Sequence, residues 1–152
     1  MTVDSIQNGI VIDHITAGRG MKLYELLGLN KAPVPVAMMM NVSSGKLGRK
    51  DIIKIDGDFP VNLDVIGYVD PDATVNIIRE GVLAEKKRIA VPERLENVIR
   101  CRNPRCVSMT EQELPQVFLL TDRGIRSTAV PGAKPGLRFS EPEKNSRRIP
   151  LL

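Results

Sequence analysis

The 152-residue sequence has no tryptophan, two tyrosines and three phenylalanines, so aromatics make up only 3% of it. Hydrophobic residues still reach 42%, and a core must therefore be aliphatic, drawn from Val, Ile and Leu runs and from Met38-Met39-Met40. Cysteine is nearly absent: Cys101 and Cys106 are the whole supply, which excludes a secreted disulfide framework and points to the cytoplasm. No apolar run approaches the ~18 residues that span a bilayer, so no membrane partner is expected. The start Met1-Thr2-Val3-Asp4 lacks the basic and apolar stretches of a signal peptide. There is one histidine, His14, and with no second histidine, activated cysteine or paired carboxylates beside it, no catalytic constellation forms.

A net charge of +4 invites a nucleic-acid reading, but its distribution argues against one. Residues 123–152 hold seven Lys/Arg against two Glu, whereas residues 1–122 hold 15 basic against 16 acidic residues. The excess belongs to the C-terminal tail, and no nucleic-acid partner is expected.

Hydrophobic spacing orders the first 90 residues. Ile10 to Ile15 is a β-branched strand, and Met21 to Leu27 has helical spacing with Gly28 as its stop. Val36 to Val42 and Asp51 to Ile55 are strands flanking the turn Ser43 to Gly48. Val61 to Val69 is an amphipathic helix halted at Asp70-Pro71-Asp72. Ala73 to Ile78 is a fourth strand, continued by Gly81 to Lys87 as an edge. The order β-α-β-β-α-β predicts an α+β fold: a ferredoxin-like, four-stranded antiparallel sheet with two helices on one face. Val91-Pro92-Glu93-Arg94 reads as a boundary, Leu95 to Arg100 and Gln116 to Leu120 as short strands. Residues 123–152, rich in Gly, Pro and scattered charge, read as disordered.

Cys101 and Cys106, with Pro104 in the turn between them, have the spacing of a zinc knuckle, or are two free thiols. Gly45-Lys46-Leu47-Gly48-Arg49-Lys50 gathers three cations where glycines permit close backbone approach. It lacks P-loop spacing, and it is either an anion site or a solvated hairpin turn. If Lys54 and Lys86-Lys87-Arg88 pair near Asp13-His14, the cations make a nucleotide-sized site; neighbours such as Asp13 and His14 should otherwise face opposite sides of a strand.

Five co-linear blocks carry a resemblance: Val11 to Ile15, Ser43 to Ile55, Ala73 to Ile78, Pro92 to Val98, and Cys101-x4-Cys106. From about residue 3 to residue 122 the chain resembles the regulatory chain of aspartate carbamoyltransferase. The resemblance implies a non-catalytic subunit of pyrimidine biosynthesis that binds CTP and ATP, forms a homodimer and docks on the catalytic chain. It places Val11, Asp13, His14, Lys54, Asn76, Ile78 and Lys86 around the nucleotide, with Val3 to Ile6 beside them and Lys50 at a neighbouring nucleotide or metal. It divides the chain into a nucleotide-binding allosteric domain (1–90), a partial, β-rich zinc-ribbon-like domain that docks on the catalytic chain (91–122) and a tail (123–152).

The sequence departs from the family pattern after Arg123. Zinc is implied through Cys101 and Cys106, but the second pair, Cys-x2-Cys, is missing, as in a diverged or frameshifted C-terminus. Two thiolates do not close a tetrahedral site. The competing readings are a zinc-ribbon nucleic-acid module, opposed by the near-neutral folded region, and a small ferredoxin-like phosphate-handling enzyme, opposed by the missing catalytic group.

Overall fold

The structure is a computed structural model that describes residues 3–98, 117–122 and 138–140. Strands β1 (Gly9–Thr16), β2 (Val36–Ser44), β3 (Gly48–Asp56), β4 (Thr74–Arg79) and β5 (Val82–Arg88) form one antiparallel sheet in the order β2-β3-β1-β4-β5. Helices α1 (Gly20–Leu26) and α2 (Leu63–Val69) join β1 to β2 and β3 to β4, which is the split βαβ order. One correction concerns strand number: the expected four-stranded sheet has five. Glu80 and Gly81 both take positive φ, 51° and 74°, and reverse the chain between the paired Arg79 and Val82. Two left-handed residues make the tight hairpin turn whose twist suits its flanking strands, so 82–88 folds back on β4 instead of extending it.

Register divides the sheet into two faces. Ile12 pairs with Ile53 and Val75, and Ile10 with Ile55 and Ile77, which puts these residues on one side. Leu23 of α1 and Val65, Ile66 and Val69 of α2 close over that side in a single core with Ile12, Ile53, Ile55 and Val75. The two helices also touch each other. Gly28, at φ 67°, ends α1 as its sequence position predicts; its N–H donates to the Glu25 carbonyl at 3.0 Å. Alternate spacing does not explain why Ile12 and Ile15 are both fully buried. An extra residue in β1 does: β3 spends two positions, Ile53 to Asp51, where β1 spends three, and His14 bulges out at φ 59°.

Asp51 lies on the apolar side, fully buried. Its Oδ2 accepts from the backbone N–H of Gly18 (2.9 Å) and Gly20 (3.0 Å), and Oδ1 from that of Asn41 (2.9 Å). The first two hold the start of α1, where N–H groups lack helical partners. The third holds a second bulge, at Asn41 (φ 62°) in β2. Glycine at position 20 suits this close approach, because a Cβ would lie 3.0 Å from Asp51 and press on its side chain.

The second helix is buried more completely than an amphipathic pattern implies: Val65 to Val69 are all buried. The reason is the segment following β5, which lies along the other side of α2. A Cβ on Gly67 would strike the Ala90 carbonyl oxygen and sit 2.9 Å from Pro92. Beyond it β6 (Arg94–Glu96), β7 (Val117–Asp122) and β8 (Arg138–Ser140) form a second antiparallel sheet. Its paired Leu95 and Phe118 extend the core. Within the tail expected to be disordered, the backbone of Arg138–Ser140 pairs with β7. Composition averaged over 30 residues does not register a three-residue strand that gains its order from a neighbour's edge. The remainder of the tail, and Cys101 and Cys106, lie outside the described residues. Among the described residues no helix is long and apolar enough to cross a membrane.

Candidate functional site

The face of the sheet away from the helices is polar, and pairing shows why the chemistry collects there. Lys54 on β3, Val11 on β1, Asn76 on β4 and Lys86 on β5 are successive partners, forming one row across four strands with Ala37 of β2 at its end. One step along, Asp13, Thr74 and Arg88 make a second row; one step the other way, Ile78 pairs with Gly9. Lys50, four residues before Lys54 on the same face of β3, reaches the second row. All eight residues singled out from the sequence thus gather on this face or at the His14 bulge beside it.

The Lys50 ammonium lies 2.7 Å from Asp13 Oδ1. The same oxygen accepts from the backbone N–H of His14 at 2.6 Å. Expected strand alternation between Asp13 and His14 is overridden by the bulge: the imidazole Nδ1 is 3.5 Å from Asp13 Oδ2 and 3.2 Å from the Thr74 hydroxyl. Burial pushes the Asp13 carboxyl up, but the Lys50 hydrogen bond, the His14 N–H and the charges of Lys50 and His14 outweigh it and hold the group below its ordinary 3.8. Such a carboxylate stabilises the fold above that ordinary value, and the contribution is lost as pH falls through the lower folded value. A Lys50→Met variant should raise the Asp13 pKa, followed by carboxyl-carbon NMR, and move acid unfolding to higher pH. An unchanged Asp13 titration would show that Lys50 does not hold it.

Lys54 Nζ donates to the carbonyls of Val3 (3.2 Å) and Asp4 (3.1 Å), tying the N-terminal segment beside the row. Asn76 is different. Its Oδ1 is buried, yet no described protein donor reaches it. A buried acceptor without a donor costs about 1–3 kcal/mol, and a ligand N–H or O–H would relieve it.

A half-open pocket of about 560 Å³ adjoins the rows, bounded by His14, Thr74, Lys86, Arg88 and, from the β2–β3 turn, Lys46. Thr74 lies outside the residues singled out from the sequence, and Arg88 enters there only as part of the basic run Lys86-Lys87-Arg88. They lie two positions from Asn76 and Lys86, so alternation along the strands would have found them once the face was known. Among the described residues no cluster of His, Cys, Asp and Glu is arranged to hold a metal.

Residues 1–90 match the family model for the aspartate carbamoyltransferase regulatory chain, allosteric domain. Among curated proteins, an aspartate carbamoyltransferase regulatory chain of Clostridium botulinum is 46% identical over 122 residues, 80% of this chain and 84% of the relative. The regulatory chain of Clostridium tetani is 45% identical over 124 residues, covering 81% and 86%. That of Bifidobacterium longum is 47% identical over 120 residues, covering 79% and 86%.

Proposed function

This chain belongs to the family of aspartate carbamoyltransferase regulatory chains, and from that premise we propose that the polar face of its five-stranded sheet binds CTP and ATP. It is a regulatory, non-catalytic subunit serving pyrimidine biosynthesis. The observation that carries the nucleotide reading is Asn76: a buried, donorless amide oxygen in a row with two cations, Lys54 and Lys86. Cytosine and adenine both offer an exocyclic amino group, and ribose offers hydroxyls, as donors to that oxygen. Val11 and Ile78 give apolar contact on either side of it, and Asp13 is a further acceptor. Lys54 serves sugar and phosphate oxygens, while His14 and Lys86 direct the phosphates into the adjoining pocket. Lys50 acts through Asp13, at the border of a neighbouring ligand.

Residues 1–90 make the nucleotide domain, 91–122 the part that docks on the catalytic chain, and 123–152 an appended tail. The chain works in the cytoplasm as a homodimer bound to catalytic chains, where nucleotide binding biases the equilibrium between states of the assembly. Carbamoyl-aspartate formation by catalytic chains, assayed with and without this chain, tests the reading. CTP and ATP should alter the rate only when this chain is present; rates indifferent to nucleotide in the reconstituted assembly would contradict it.

Zinc fits the donor set poorly. The 152 residues contain two cysteines, and the one histidine stands in the first sheet against Thr74. Structural zinc sites take four protein ligands, and thiolate loss lowers affinity steeply. Protein purified without chelator should therefore carry well under one zinc per chain by elemental analysis; one tightly held zinc per chain would overturn this.

A further inference from the structure

We infer that Lys46 is a selectivity residue that grips the terminal phosphates of a nucleoside triphosphate, an inference that rests on the nucleotide reading of this face. Lys46 lies in the turn between β2 and β3, and it lines the same pocket as Lys86 and Arg88 of β5. The sheet order puts β1 and β4 between that turn and β5. The pocket is therefore gripped from two sides, with His14 of the β1 bulge and Thr74 of β4 between them. Every other lining residue comes from β1, from β5 and its continuation, or from the α2–β4 connection and β4, so Lys46 is the single contribution from the far side.

Charge supports the same reading. Among the described residues, Lys46, Lys86 and Arg88 form no ion pair, and Asp72 is the one carboxylate in the pocket lining. Three cations against one carboxylate leave the pocket of about 560 Å³ with an excess of positive charge, which suits a polyanion. Because Lys46 stands across β1 and β4 from Lys86, a triphosphate, longer and more highly charged than a monophosphate, is the ligand suited to engage both ends of the pocket. The turn that reads from sequence as an anion site or a solvated hairpin is on this account an anion site at one residue, Lys46. Arg49, by contrast, is engaged locally, with its guanidinium 3.1 Å from the Asn41 carbonyl.

The test is calorimetric titration of the full chain with CTP, CDP and CMP, for the wild type, Lys46→Met and Lys46→Glu. Lys46 is exposed in a turn, so neither variant should disturb folding. The Met variant should weaken CTP about fivefold, in the range of one exposed charge contact, and the Glu variant about tenfold or more, while CMP changes less than about twofold. Equal losses for CTP and CMP, or no loss for CTP, would overturn the role of Lys46 and leave the nucleotide site standing. Failure of the wild-type chain to bind any of the three would instead bring down the nucleotide reading, and this inference with it.

Discussion

Replacing Asp51 with alanine should destabilise the chain by about 3–5 kcal/mol, since each backbone N–H orphaned in a buried site costs roughly 1–3 kcal/mol. Three are orphaned together: those of Gly18, Gly20 and Asn41. Small domains are stable by only about 5–15 kcal/mol, so urea unfolding should show a large loss of midpoint. Asp51→Asn keeps one accepting oxygen and should lie between the variant and the wild type. The effect should reach the polar face too, because Asp51 pins the β2 bulge opposite Lys50 and the turn into α1 after the His14 bulge. A loss under about 1 kcal/mol for the alanine variant would show that water or rearrangement replaces the carboxylate, and that the junction is not held as described.

Asn76→Leu should separate function from folding. Leucine removes the buried oxygen that lacks a protein donor and keeps the heavy-atom count and branching of asparagine, so the thermal midpoint should stay level or rise. CTP binding should fall about 10- to 100-fold, because the ligand donor loses its acceptor and is itself left unpaired in a desolvated site. Stability gained at the expense of binding is the signature of a group kept for its ligand. If Asn76→Leu unfolds the chain, the amide has a structural role; if it leaves CTP affinity unchanged, the ligand does not reach the row.

Aliphatic periodicity carried the elements well. The β1, β2, β3 and β4 runs, the Gly28 stop and the edge at 82–88 follow from short-range signals. The polar face is another matter. Val11, Lys54, Asn76 and Lys86 are separated by up to 75 positions and meet only through strand pairing, which local spacing does not encode. The family resemblance supplied that list, and register explains why its members converge. Both bulges were invisible for a related reason. His14 and Asn41 take left-handed φ, with Asp13 and Asp51 accepting their N–H groups, and the runs Ile10 to Ile15 and Val36 to Val42 hold no glycine to announce it. Asp51 itself looked like the polar start of a strand, and its burial depends on three donors brought from elsewhere in the chain. By sequence Gly81 continues the strand before it into one edge, whereas Glu80 and Gly81 together in left-handed geometry reverse the chain.

The central claim is that this face binds regulatory nucleotides. Its most direct test is calorimetric titration of the full chain with CTP and then ATP, alongside the Asn76→Leu variant. The account predicts one site per chain, competition between the two nucleotides, and affinity that falls at least about tenfold in the variant. Absence of saturable binding by the wild type, or equal affinity in wild type and variant, would contradict it.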